Sequence, residues 1–114
     1  MELTYKLNKD TYITIDLFPD AIVIIDTKTN KITFIVFYEN GEIREIEYFV
    51  PYLKKKVIKI DDRKDWYQLG IYSKLRENTR DILKRLKNNL EYIDNIFLRV
   101  KIKEFLKRIP LDDQ

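Results

Sequence analysis

The chain has 114 residues, enough for one domain around one ordinary hydrophobic core, which its 45% apolar and 13% aromatic residues can supply. It is highly charged, with 22 basic and 19 acidic residues, yet its net charge is only +3. It contains neither cysteine nor histidine, which excludes disulfides, zinc-thiolate and iron–sulfur sites, and every nucleophilic system built on those side chains.

The opening stretch, Met1 to Lys6, lacks the basic start and apolar run of a signal peptide. No apolar run approaches the ~20 residues that span a bilayer. The expectation is an intracellular, cytoplasmic protein. Its Lys- and Glu-rich, glycine-poor composition resembles that of small proteins from hyperthermophilic archaea and their viruses. The likeness attaches to no motif and implies nothing about activity.

In chain order, Leu3, Tyr5 and Leu7 alternate with polar residues, and so do Ile13, Ile15 and Leu17, which is the period of half-buried strands. Asn8-Lys9-Asp10 and Phe18-Pro19-Asp20 read as the turns between strands. Ala21 to Asp26 is a short apolar strand, and Thr27 to Asn30 closes a hairpin into Lys31–Tyr38. Asn40-Gly41 predicts a two-residue type I′ turn, which needs positive φ at both residues. That turn pairs Ile35 with Ile46 and Phe37 with Arg44 on one face of the sheet. On the other face it pairs Phe34 with Glu47, Val36 with Glu45 and Ile32 with Phe49. A slip of one residue inverts this assignment. Strand 31–38 is apolar on both faces and is therefore expected in the middle of the sheet.

Lys54-Lys55-Lys56 opens a linker, Val57–Ile60 reads as a short further strand, and Asp61 and Asp62 read as N-caps of a helical second half. Gly70 followed by Ser73 marks a break before a main helix over Lys74–Lys87, with Leu75, Thr79, Ile82 and Leu86 on one face. Asn88 and Glu91 have capping-box spacing. The segment from Ile93 to Lys103 is compatible with strand or helix, and helical spacing is favoured. The expected fold is α+β in a single domain over residues 1–114. Residues 1–60 form an antiparallel meander of about five strands, residues 61–109 are mostly helical and pack on one face, and 110–114 form a tail.

Without histidine, cysteine or a glycine-rich phosphate loop, only carboxylate, lysine and tyrosine chemistry remains. Pro19-Asp20 followed by Asp26-Thr27-Lys28 resembles the PD…(D/E)xK signature of metal-dependent nucleases, but the acids are too close in sequence for that family. They also fall at opposite ends of one strand, roughly 20 Å apart at ~3.3 Å per residue. They therefore read as turn residues, and no catalytic residue, metal site, cofactor or small-molecule ligand is expected. Charge is more informative. Residues 1–53 carry five basic residues against nine acidic, a net of −4, whereas residues 74–108 carry eleven against five, a net of +6. Arg76, Arg80, Lys84 and Lys87 recur on one helical stripe, with Lys54, Lys55 and Lys56 as further cations.

Two readings stay open. A non-enzymatic DNA- or RNA-binding or regulatory module using the basic helix is slightly favoured. The alternative is a protein-interaction or oligomeric module, such as a homodimer or an inhibitor of a host factor, using an apolar sheet face formed by Ile32, Phe34, Val36 and Phe49.

Overall fold

The computed structural model describes residues 3–56 and 63–111. These residues form an antiparallel six-stranded meander, its strands in sequential order, followed by two helices. The strands are β1 (Thr4–Lys6), β2 (Thr11–Leu17), β3 (Asp20–Asp26), β4 (Lys31–Phe37), β5 (Ile43–Phe49) and β6 (Tyr67–Tyr72). A one-turn helix, α1 (Leu53–Lys56), follows β5; α2 (Glu77–Asn88) and α3 (Ile96–Lys107) are joined through a 3₁₀ turn at Leu90–Tyr92. The expected strand at 57–60 and the caps at Asp61 and Asp62 lie outside the described residues.

The α+β meander agrees with the expected architecture, with one strand more. Residues 67–72, expected within the helical half, form β6 and pair with β5. Gly70 is a strand residue here rather than a break. A Cβ at this position would lie 2.9 Å from Tyr72 Oη, so the Tyr72 ring occupies the space that a side chain would need. α3 is helical, as the Ile93–Val100 spacing favours, and it is capped by Asn95, whose Oδ1 accepts from the Leu98 N–H (3.0 Å). Asn88 and Glu91 do not form the expected capping box: the turn at 90–92 has no side-chain cap.

β3 and β4 are apolar on both faces and sit inside the sheet, so both faces carry a core. On one face Ile13, Ile15, Ile22, Ile24, Ile35 and Phe37 meet Leu83 and Leu86 of α2 and Leu98, Ile102, Phe105 and Leu106 of α3. The Phe37 and Phe105 rings stack, with centroids 4.7 Å apart. On the other face Val23, Ile25, Ile32, Phe34 and Val36 pack with Val50, Leu53 and Trp66.

This second core corrects the expected interface. Ile32, Phe34 and Val36 are buried within the chain, at 1–4% exposure, and Phe49 is half-buried. The segment that follows β5 covers them through Val50, Leu53 and Trp66, a role its lysine-rich sequence hides. Trp66 is correspondingly buried; its ring centroid lies 6.0 Å from that of Phe34 and 5.8 Å from that of Tyr48.

The β4–β5 turn is also not the expected one. Tyr38 N–H donates to Glu42 O (2.9 Å) and Gly41 N–H donates to Tyr38 O (3.0 Å). Gly41 has positive φ, 87°, whereas Asn40 does not. The loop therefore has three residues, a type I turn closed by a left-handed glycine. The additional loop residue slips the register by one, to Ile35↔Glu45, Phe34↔Ile46 and Thr33↔Glu47. Ile46 moves to the second core, and Glu45 and Glu47 turn towards the helices.

If Phe34 is a core residue and not a subunit contact, Phe34→Ala lowers stability by about 3–5 kcal/mol. The particle mass is then unchanged. Denaturant unfolding followed by Trp66 fluorescence, together with light scattering, reads both quantities.

Candidate functional site

Glu45 is fully buried and Glu47 nearly so, on the face that carries α2. An ionised carboxylate survives there only with partners. Glu45 Oε1 accepts from the Arg76 backbone N–H (2.9 Å), while Oε2 accepts from Arg76 Nε (2.7 Å) and from Thr79 Oγ1 (2.8 Å). The other arm of the Arg76 guanidinium reaches Glu47, and Lys31 Nζ lies 3.9 Å from the same carboxylate oxygen. Arg76 is the N-cap residue of α2 and makes no side-chain cap of its own. Glu45 supplies the missing negative charge at that helix end from across the sheet. The guanidinium carbon also lies 4.6 Å from the Tyr72 ring centroid. Burial disfavours the Arg76 charge, but the hydrogen bonds to Glu45 and then Glu47, with their charges, outweigh it and hold Arg76 above its ordinary value.

This arrangement positions a groove of about 570 Å³ at the Gly41 end of the sheet, lined by Gly41, Ile43, Ser73, Lys74, Leu75, Arg80, Arg108 and Pro110. Lys74 precedes the Arg76 anchor, Arg80 lies one turn into α2, and Arg108 ends α3. The Arg108 guanidinium sits 4.7 Å from the Phe37 ring centroid and donates to Tyr38 O at 3.4 Å. A cation at the end of α3 also meets the negative end of the helix dipole. Three cations from three segments thus line one concave surface, and no carboxylate is among its lining residues.

The predicted basic stripe divides. Arg76 is turned towards Glu45 and Glu47, so its guanidinium donors are engaged within the fold although the side chain is partly exposed. Arg80 is half-buried on the groove wall, and Lys84 and Lys87 continue the stripe on the exposed side of α2. Lys54 is exposed at the opposite end of the sheet, and the side chains of Lys55 and Lys56 lie outside the described residues. Sequence spacing missed Lys74, Arg108 and Ser73. The basic surplus of residues 74–108 is the signal that includes the first two, but their meeting depends on α3 folding back against the sheet.

Asp20 and Asp26 occupy the two ends of β3, too far apart to share an ion. Among the described residues no group of three or more acidic side chains is placed to hold a metal. No helix among them is long and apolar enough to cross a membrane.

Arg76→Ala strands a fully buried carboxylate. The expected cost is about 3 kcal/mol, at the low end for a broken buried pair because Arg76 is itself 36% exposed. Arg80→Ala, measured by the same denaturant titration, should cost under about 1 kcal/mol. A raised arginine pKa adds stability that is complete below the unfolded-state value and is lost only above the folded-state one. Raising the pH from 7 to about 9 therefore leaves the cluster ion-paired and the Arg76→Ala difference unchanged.

No protein-family model, curated protein or solved structure matches the chain.

Proposed function

We propose that this is a non-enzymatic nucleic-acid-binding module, acting in the cytoplasm, that holds a phosphate backbone in the groove between Gly41, Ser73 and the end of α3. The convergence of Lys74, Arg80 and Arg108 on one concave surface carries this reading. A phosphate chain needs spaced cations on a concave track, and each contact adds salt-sensitive affinity. Arg80 belongs both to the groove and to the α2 stripe, so the track extends along the helix to Lys84 and Lys87. Arg108 is fixed by Phe37 and the Tyr38 carbonyl, so part of the ordering cost is met before binding.

Five contacts, Lys74, Arg80 and Arg108 in the groove with Lys84 and Lys87 beyond it, predict a log–log salt slope of about −4.5 on duplex and about −3.5 on single strands. Replacing Lys74 and Arg80 together by Gln reduces the slope by about 2 and weakens every sequence alike. Anisotropy titrations against DNA and RNA at several salt concentrations measure this. Equal binding by wild type and the double variant, or no binding by either, would overturn the proposal.

One observation favours the alternative of a protein-binding module. β6 is an edge strand, none of its six residues is charged, and Tyr67, Leu69 and Ile71 are exposed. Edge strands normally carry charges that block pairing with another chain. On this reading sedimentation velocity shows a mass that rises with concentration, and Leu69→Lys abolishes the rise. A wild-type mass of 13.9 kDa at every concentration removes self-pairing.

A further inference from the structure

Leu98, Ile102, Phe105 and Leu106 form the inner side of α3 and are buried in the first core. Ile96 and Val100 stand one turn apart on the opposite side, with Phe97 beside them. These three are 65%, 48% and 44% exposed, and neither core includes them. The helix does not need them either. Isoleucine, valine and phenylalanine are weaker helix formers than the lysine and glutamate that this chain uses freely. α2 supplies the contrast, because every one of its exposed residues is polar. A contiguous apolar surface on one long helix and not on the other marks a contact face.

The charges around the patch indicate what covers it. Two exposed acids, Glu91 and Asp94, precede it in the chain, and two exposed lysines, Lys103 and Lys107, follow it. The midpoint of Phe97 and Val100 falls between Leu98 and Arg99. Asp94 and Lys103 are equally far from that midpoint in sequence, and Glu91 and Lys107 nearly so. Glu104 breaks the segregation, but it is already paired within the helix to Lys101 (3.5 Å). A second copy of α3, laid antiparallel across a two-fold axis at the midpoint, therefore sets Phe97 against the partner's Val100. It also sets each acidic end against a basic end. Like charges stay apart, since Lys103 and the partner's Lys103 are then offset along the helices by roughly 13 Å at ~1.5 Å per residue. An anionic lipid surface would ask for cations on both sides of the patch, and the acids on one side oppose it.

We propose that α3 is a homodimerisation face, on which two copies pack antiparallel, bury Ile96, Phe97 and Val100, and pair Asp94 with the partner's Lys103. One helix face is smaller than the interface of a permanent dimer, so monomer and dimer exchange with a Kd in the micromolar range or above. This surface is distinct from β6 and stands whether or not the groove at Gly41 binds nucleic acid.

The test is sedimentation velocity of the full chain from micromolar to millimolar concentration, with a circular-dichroism melt of each variant to confirm folding. The wild-type mass should rise from 13.9 kDa towards twice that value. Phe97→Gln with Val100→Gln should abolish the rise, and Leu69→Lys should leave it unchanged. Asp94→Lys and Lys103→Glu each place like charges together twice across the axis, so each should weaken association about tenfold. The double variant Asp94→Lys/Lys103→Glu restores opposite charges and should recover the wild-type affinity. A wild-type mass of 13.9 kDa at every concentration would overturn the proposal, as would a double variant no tighter than either single one. Loss of the rise in a folded Leu69→Lys would overturn it in favour of β6. Co-sedimentation with phosphatidylglycerol vesicles by a chain that stays monomeric would overturn it in favour of a lipid surface.

Discussion

Two carboxylates buried on the same face of β5 are the constraint around which the helical half of the molecule is arranged. Neither Glu45 nor Glu47 tolerates that environment alone, because leaving water costs an unpaired carboxylate several kcal/mol. Arg76 meets the requirement with its backbone N–H and both arms of its guanidinium, and Thr79 completes the set with its hydroxyl. The position where α2 begins is thereby set by the sheet. Lys74 and Arg80 flank Arg76 in sequence, so their place at the groove follows from where that ion cluster holds Arg76. The cationic surface inherits its geometry from a buried pairing.

The same sheet carries a core on its other face without a second pair of helices. Leu53 and Trp66, from the connection between β5 and β6, bury Phe34 and its neighbours. Arg63 adds a guanidinium 5.1 Å from the Phe34 ring centroid and 5.6 Å from that of Trp66. A sheet apolar on both faces therefore does not imply a subunit interface. Exposed apolar residues lie elsewhere, among them Tyr67, Leu69 and Ile71 on the edge strand β6 and Ile96, Phe97 and Val100 on α3.

The meander, the positions of its turns and the two long helices were legible because each has a local cause: period-2 alternation, Asx-type turn residues and helical spacing. The register was not, because Asn40-Gly41 serves both a two-residue loop and a three-residue loop, and the choice between them moves Glu45 from one face to the other. Alternation alone left Glu45 and Glu47 readable as a solvated acidic face. Their burial depends on an arginine 31 residues from Glu45. β6 was missed because Gly70 reads as a break; the reason for that glycine is the Tyr72 ring lying over it, a contact with no counterpart in composition or periodicity. Within the expected cation stripe, spacing could not tell which arginine meets the buried acids. That distinction decides which residues are available to a ligand.

The asymmetry of charge between the two halves of the chain thus has two uses. Part of it is consumed inside, where Arg76 neutralises acids of the N-terminal sheet. The remainder stays at the surface, and its distribution follows from how the sheet is covered. With both faces of the central strands packed, concave surface forms at the strand ends, where turns, helix ends and the entry to α1 meet. Two grooves lie at such ends, one lined by Lys74, Arg80 and Arg108, the other by Lys28 and Lys54. Arg108 also lies over the core residue Phe37, whereas Lys74, Arg80, Lys28 and Lys54 are in neither hydrophobic core, and Arg76 binds the helices to the sheet. Substituting Lys74 and Arg80 therefore separates recognition from folding, and substituting Arg76 does not.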